Sequence, residues 1–242
     1  MSIDLKCGNC MDIMRSMGDN SVNCIVTSPP YNKHGLSGDK KTGNQIWQNF
    51  NINYNAYADD MNETDYAKWQ IDFLNECGRI IKQDGSIFYN HKVRRFQNSA
   101  HFPKWVFSTN LNLYQFIIWN RVTCYDMRND YLYPTTELLF WFTKDKPKVH
   151  KDKAAYKSEI WDIIPNKSNG HPASFPVELS DNCILLTTDE GDTVLDPFMG
   201  SGTTGVSCKK LHRDFIGIDI DPVYYDMSKS RIETTTFPIS LF

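Results

Sequence analysis

The chain has 242 residues, 40% hydrophobic and 23% charged, with a formal net charge of −3. That is enough for one sizeable domain whose core needs no disulfide staples, and it excludes a globally basic nucleic-acid binder. No apolar run is long enough to span a membrane, and Met1-Ser2-Ile3-Asp4 carries no signal-peptide pattern, so no membrane partner is expected. The seven cysteines include a single CxxC, Cys7 and Cys10, with no second pair at zinc-ribbon spacing. They read as reduced thiols of a cytoplasmic protein, with no metal site.

Ile3–Cys7 is a weak strand candidate, and Val22–Thr27 is a stronger one that runs into Pro29-Pro30. Residues 33–62, rich in Asn, Gly, Lys and Asp, read as a long loop. Residues 64–81 place Tyr66, Trp69, Phe73, Leu74, Cys77, Ile80 and Ile81 close to helical spacing, with Thr64 as N-cap. The turn signal Asp84-Gly85 precedes a strand at 86–90. The short basic run His91-Lys92-Val93-Arg94-Arg95 reads as a solvated loop in preference to a nucleic-acid patch.

Aromatic-rich strands are expected at 113–120 and 137–143. Polar, proline-broken stretches follow them at 121–136 and 144–158. A helix at 176–186, a strand at Thr193–Asp196, a helix at 203–211 and a strand at 215–220 complete the chain. These seven candidate strands alternating with helices predict a mostly parallel sheet covered on both faces. We expect one domain, 1–242, whose segments near 33–62 and 121–158 are either surface insertions or recognition elements.

Two loops carry chemistry. Asp196-Pro197-Phe198-Met199-Gly200-Ser201-Gly202-Thr203-Thr204 follows a strand and opens a helix. Gly200 and Gly202 allow a tight turn and close approach of a ligand to backbone N–H groups. The Walker pattern fails for lack of Gly-Lys-Ser/Thr, and the dinucleotide fingerprint fails for lack of a third glycine. Asp219 ends the next strand roughly 20 residues beyond the glycines, where a carboxylate can accept from ribose hydroxyls. Asp221 is the alternative, and Asp219 is preferred because it comes first after the apolar run. The second loop, Thr27-Ser28-Pro29-Pro30-Tyr31, also leaves a strand end. Its two prolines fix φ and remove two donors, so the loop is stiff and offers carbonyl oxygens. Ser28 adds a hydroxyl acceptor, and Tyr31 offers a flat face for a base. Acceptors of this kind suit an –NH2 group. Taken alone, each loop reads equally well as a plain turn.

Together the loops resemble the amino-methyltransferases of DNA, which act on adenine N6 or cytosine N4. The order, Ser28-Pro29-Pro30-Tyr31 before the Asp196–Thr204 loop, resembles the permuted β subgroup. The resemblance spans nearly the whole chain. It implies a class I methyltransferase fold, a Rossmann-like seven-stranded mostly parallel sheet with helices on both faces. It implies S-adenosyl-L-methionine as cofactor and direct in-line transfer to a flipped-out base in double-stranded DNA. Ser28, Pro29, Pro30 and Tyr31 would be catalytic. Asp196, Phe198, Gly200, Gly202, Thr203, Thr204 and Asp219 would face the cofactor.

His171-Pro172-Ala173-Ser174-Phe175-Pro176 resembles the family's segment enclosing the methionine part, which adds His171 and Pro172 as pocket residues. Ile118-Trp119-Asn120-Arg121 is similar to a strand near the target pocket, and Phe88-Tyr89-Asn90-His91-Lys92 is similar to related members after the fifth strand. The chain has Gly8-Asn9 where the family often has Gly-Asp, and Asn9 is carried over as an adenine contact. In this family Ser-Pro-Pro-Tyr leans towards cytosine N4, with adenine N6 the alternative. No Pro-Cys dipeptide is present, which argues against carbon methylation of cytosine. A non-methylating nucleotide-binding or redox domain would explain the glycine loop and Asp219 but leaves Ser28–Tyr31 unexplained, and a non-catalytic DNA-binding module is a third class. A cognate restriction endonuclease and a homodimer are left open as partners.

Overall fold

The computed structural model describes residues 1–32, 61–96, 99–123, 132–165 and 175–237. Its strands in chain order are β1 (Ile3–Cys7), β2 (Val22–Thr27), β3 (Ile81–His91), β4 (Arg94–Phe96), β5 (Ser99–His101), β6 (Asn112–Asn120), β7 (Thr136–Thr143), β8 (Ile160–Asp162), β9 (Thr193–Asp196) and β10 (Asp214–Asp219). Eight of them form one sheet in the order β1-β10-β9-β2-β3-β7-β6-β8, and β4 and β5 form a separate ribbon. Every pair from β1 to β3 is parallel, β7 runs antiparallel to β3 and to β6, and β8 is parallel to β6.

All seven expected strands are present, and the sheet has eight. The addition is β8, whose three residues, Ile160-Trp161-Asp162, turn only Trp161 inward. A run that short has no period to read. Strand β3 also begins earlier than expected. Asp84-Gly85 is a kink inside the strand, where the register against β2 shifts between Val22 and Cys24. A Cβ on Gly85 would stand 2.8 Å from the Asn23 carbonyl oxygen, so the kink requires glycine.

The helices are α1 (Cys10–Arg15), α2 (Glu63–Ile80), α3 (Val177–Thr187), α4 (Thr203–Lys210) and α5 (Pro222–Thr234). Asn62, not Thr64, caps α2: its side-chain oxygen accepts from the Asp65 N–H at 2.9 Å. That puts Glu63 and Asp65 in the first turn, where carboxylates complement the exposed N–H groups.

Alternation along each central strand separates two cores. Val22, Ile25, Ile87, Tyr89, Phe140, Phe142, Leu195 and Ile218 face α1, α2 and the 3-10 turn at Lys104–Phe107. Cys24, Val26, Phe88, Leu139, Trp141, Val194 and Phe215 face α3, α4 and α5. Strands buried on both sides explain the near-continuous apolar runs of the sequence. The six described cysteines are all free, and all but Cys7 are buried in these layers.

Helix α4 packs tightly at Gly205, where an added Cβ would lie 2.3 Å from Ile232 Cδ1 and 2.7 Å from a Phe215 ring carbon. Overpacking of this kind costs about 1–3 kcal/mol, against a helix-propensity gain of less than about 1 kcal/mol. Gly205→Val is therefore expected to lower the urea midpoint, and a midpoint at or above wild type would contradict this packing.

Candidate active site

The five neighbouring parallel strands deliver Cys7, Asp219, Asp196, Thr27 and His91 to one edge of the sheet. Ligands of open α/β sheets bind at this carboxyl edge. Strands β2 and β9 are paired, so the two loops singled out in the sequence leave adjacent strands.

Asp196 joins them. Its Oδ1 accepts from the Thr27 hydroxyl at 3.0 Å and from the Phe198 N–H at 3.1 Å, and its Oδ2 accepts from the Thr204 hydroxyl at 2.6 Å. Asp196 is 1% exposed. Burial pushes its carboxyl up to about 6, against the pull of these three hydrogen bonds. Asp196 and Thr204 thus turn their polar atoms into the protein. Thr203 is also buried, and its hydroxyl accepts from Arg231 at 3.1 Å.

In the rest of the glycine loop Met199, Ser201 and Gly202 are buried, and Gly200 is half-buried at the edge of the sheet. Gly200 and Gly202 have φ of 47° and 75°, a left-handed backbone that glycine adopts without strain. The Gly200 N–H donates to Asp219 Oδ2 at 2.9 Å, and the Asp221 N–H donates to Asp219 Oδ1 at 2.9 Å. Burial raises the Asp219 carboxyl above its ordinary value. The Asp221 side chain instead caps α5, accepting from the Val223 N–H at 2.8 Å. Helix α4 begins at Gly202 with no side-chain cap, which leaves its first-turn N–H groups without one. Phe198 is half-buried against Trp69 and Phe73, at centroid distances of 5.9 and 5.1 Å. Gly8 donates its N–H to the Asp219 carbonyl at 2.9 Å, which brings exposed Asn9 beside that strand end. The Asn9 side-chain oxygen caps α1 by accepting from the Met11 N–H at 2.9 Å. His171 and Pro172 lie outside the described residues.

Ser28, Pro29, Pro30 and Tyr31 lie against α2 and the end of β3. The Pro30 carbonyl accepts from the Tyr66 hydroxyl at 2.6 Å and from the Gln70 amide at 3.4 Å. Gln70 is itself fixed: its amide donates to Tyr66 at 2.8 Å, and its oxygen accepts from the Tyr89 hydroxyl at 2.9 Å. The Tyr31 ring leans on His91 at a centroid distance of 4.6 Å, tilted 49°. The Tyr31 hydroxyl stands 2.7 Å from Ser28 Oγ and donates to Asn90 Oδ1 at 2.8 Å. Burial raises that phenol well above its ordinary value, so it is neutral.

Only part of the basic run is solvated as its sequence suggests: Val93 and Arg95 are exposed, whereas His91 and Arg94 are buried. His91 is fully buried and Arg94 is 3% exposed. Arg94 forks onto Glu63 at 2.8 and 2.5 Å and onto the Asn32 carbonyl at 3.1 Å. Three residues given no role of their own in the sequence hold the loops: Thr27 and Asn90, named there only within motifs, and Gln70. Gln70 had a signal, since it lies four residues after Tyr66 on the face that α2 buries.

His91 Nδ1 stands 2.8 Å from the Lys92 carbonyl, which can only accept, so the proton of the neutral ring sits on Nδ1, and Nε2, 3.0 Å from the Tyr66 hydroxyl, shares that hydroxyl's proton with the Pro30 carbonyl. Burial, with Arg94 and Lys92 adding to it, pushes the imidazole from 6.5 down to about 3. A histidine kept neutral in the fold contributes its full stability above its unfolded value and loses it as pH falls, because the unfolded chain takes up the proton. Between pH 7 and pH 5 this loss is about 2 kcal/mol. The stability difference between wild type and His91→Gln in urea titrations is expected to move by that amount in favour of the variant. A difference independent of pH would contradict a neutral His91.

Residues 22–230 match the N6/N4 methyltransferase family model, described as DNA methylase. The type II methyltransferase M.HpaI of Haemophilus parainfluenzae is 29% identical over 254 residues, covering 95% of this chain and 74% of that protein. M.Cfr9I of Citrobacter freundii, also a type II methyltransferase, is 27% identical over 272 residues, covering 93% and 86%. The solved PvuII DNA methyltransferase, cytosine-N4-specific, superposes with a TM-score of 0.76 at 20% identity, covering 99% of this chain and 89% of that one. The M1.HpyAVI–SAM complex superposes with a TM-score of 0.64 at 24% identity, covering 95% and 99%. The fold is that of the class I methyltransferases, and the chain belongs to the N6/N4 DNA methylase family, enzymes that methylate an exocyclic amino group of a DNA base.

Proposed function

We propose that this enzyme methylates N4 of a cytosine flipped out of double-stranded DNA, with Ser28 and the Pro29 carbonyl as the acceptors that hold the amino group. The observation that carries the reading is the placement of Ser28-Pro29-Pro30-Tyr31 beside the glycine loop, the two joined through Thr27 and Asp196.

The carboxyl edge fits S-adenosyl-L-methionine. Each oxygen of Asp219 accepts one backbone N–H, so lone pairs remain for ribose hydroxyls. The uncapped start of α4 offers N–H groups to a carboxylate. Phe198 and Asn9 border the same edge, and His171 and Pro172 are assigned to the methionine end. When bound, the cofactor supplies a methyl group already activated on sulfonium. Asp196 and Thr204 set the shape of the loop from within.

The chain's own contribution is orientation. Acceptors at Ser28 and Pro29 hold the amine hydrogens, which directs the nitrogen lone pair along a fixed line. Pro30 stiffens the loop, its carbonyl already engaged by Tyr66. Tyr31 presents its ring to the extruded base. Cytosine is preferred because of the Ser-Pro-Pro-Tyr loop, and the PvuII enzyme is named cytosine-N4-specific. Adenine N6 is the second reading, since a hydroxyl accepts from either amine.

Strand β2 ends, β6 ends and β7 begins at the carboxyl edge, the edge that holds the two loops. The 144–158 connection leaves from the opposite edge. Recognition of the DNA sequence is assigned to 33–62 and to the first part of 121–158. A cognate restriction endonuclease fits the type II designation of the relatives, and the cytoplasm, where DNA lies, is the expected location. No helix among the described residues is long and apolar enough to cross a membrane.

The test is transfer of labelled methyl groups to unmethylated DNA, followed by nucleoside analysis of the product. Wild type is expected to yield N4-methylcytosine. Ser28→Ala and Tyr31→Ala are expected to lose on the order of 10²-fold in turnover while cofactor affinity persists. N6-methyladenine as sole product would overturn the base assignment, and wild-type turnover in both variants would overturn the residue roles.

A further inference from the structure

We propose that Asn90 is a positioning residue of the catalytic loop, whose carboxamide oxygen collects the hydroxyl protons of Tyr31 and Ser28 so that Ser28 meets the base amine as an acceptor only. The inference rests on the reading of Ser28 as an amine acceptor.

The geometry fixes which way the amide points. Asn90 is 2% exposed on β3, and its Nδ2 lies 3.2 Å from the Leu138 carbonyl. A carbonyl can only accept, so nitrogen faces Leu138 and oxygen faces the loop. That oxygen stands 2.8 Å from the Tyr31 hydroxyl and 3.4 Å from Ser28 Oγ, and the two hydroxyls stand 2.7 Å apart.

Two protons are thus shared among three oxygens, and only Asn90 Oδ1 carries no proton of its own. If Ser28 donates to Tyr31 and Tyr31 to Asn90, both Ser28 lone pairs face outward. If Tyr31 donates to Ser28 and Ser28 to Asn90, one lone pair remains. Either way no hydroxyl proton points at the substrate. Without the Asn90 oxygen, one proton of the Ser28–Tyr31 pair has no acceptor in the protein among the described residues. It then points outward at an –NH2 group, where a donor meets a donor.

The experiment is a set of methyl-transfer rates with labelled S-adenosyl-L-methionine and unmethylated plasmid DNA. It compares wild type, Asn90→Leu, Asn90→Asp, Ser28→Ala and Ser28→Ala/Asn90→Leu. Asn90→Leu is expected to lower kcat by up to about tenfold, the worth of one hydrogen bond. Cofactor Kd and the KM for DNA should stay within about twofold. Asn90→Asp, with the oxygen that faces the Leu138 carbonyl protonated in this buried setting, keeps an acceptor oxygen towards Tyr31 and is expected to restore most of the rate. The double variant should be no slower than Ser28→Ala alone, because Asn90 acts only through that hydroxyl.

A wild-type kcat in Asn90→Leu would overturn the proposal. So would a double variant slowed by the product of the two single effects, the signature of a separate structural role. If Ser28→Ala itself keeps wild-type turnover, the acceptor reading fails and takes this inference with it. A slow Ser28→Ala beside an active Asn90→Leu rejects Asn90 alone. If Asn90→Leu does not fold, Asn90→Ala carries the same comparison.

Discussion

The buried carboxylate of Asp196 holds together two loops that the chain separates by well over a hundred residues. Thr27 precedes the Ser-Pro-Pro-Tyr turn, and Thr204 and Phe198 belong to the glycine loop, yet all three donate to the same side chain. Removing a carboxylate from water is costly, and the rise of Asp196 to about 6 records that cost. Hydrogen bonds to a charged group each contribute about 1.5–3 kcal/mol. Three of them offset part of that burial and fix the spacing between the Ser28–Tyr31 turn and the glycine loop, the proposed places of base and cofactor.

A similar economy of motion governs the catalytic turn. Prolines 29 and 30 set φ, the Tyr66 hydroxyl engages one carbonyl, and His91 supports the Tyr31 ring. The supports come from α2 and β3, rigid elements on the side of the sheet that buries Tyr66, Phe73 and Tyr89. A reaction whose methyl donor is already activated needs alignment above all. The acceptors proposed at Ser28 and Pro29 would meet that need from a rigid turn, with His91 kept neutral in its buried setting.

Strands buried on both faces were legible because their apolar runs are short and bounded by turn residues, and Gly200, Gly202 and Asp219 fell where a strand–turn–helix unit puts them. The sense of several polar groups was not legible. Asp196 and Thr204 look like ligand contacts in a glycine-rich motif, and only the fold shows that their polar atoms point at Thr27 and at each other. His91 and Arg94 look like surface charge because local composition carries no record of Glu63, which reaches Arg94 from another element. Strand β8 escaped because one inward tryptophan makes no pattern. Asn90 drew no role because its partners, Ser28 and Tyr31 in the catalytic-loop candidate and Leu138 on β7, meet only in the fold.

The coupling through Asp196 is the central claim, and single-turnover methyl transfer by Asp196→Asn at saturating cofactor tests it most directly. An asparagine keeps the volume but removes the charge and leaves one acceptor oxygen in place of the two that receive Thr27, Phe198 and Thr204, which weakens the charge-assisted bonds between the loops. If Asp196 couples the two loops, cofactor affinity and the transfer rate fall together. A loss confined to cofactor affinity, with the transfer rate unchanged once cofactor saturates, would contradict that coupling.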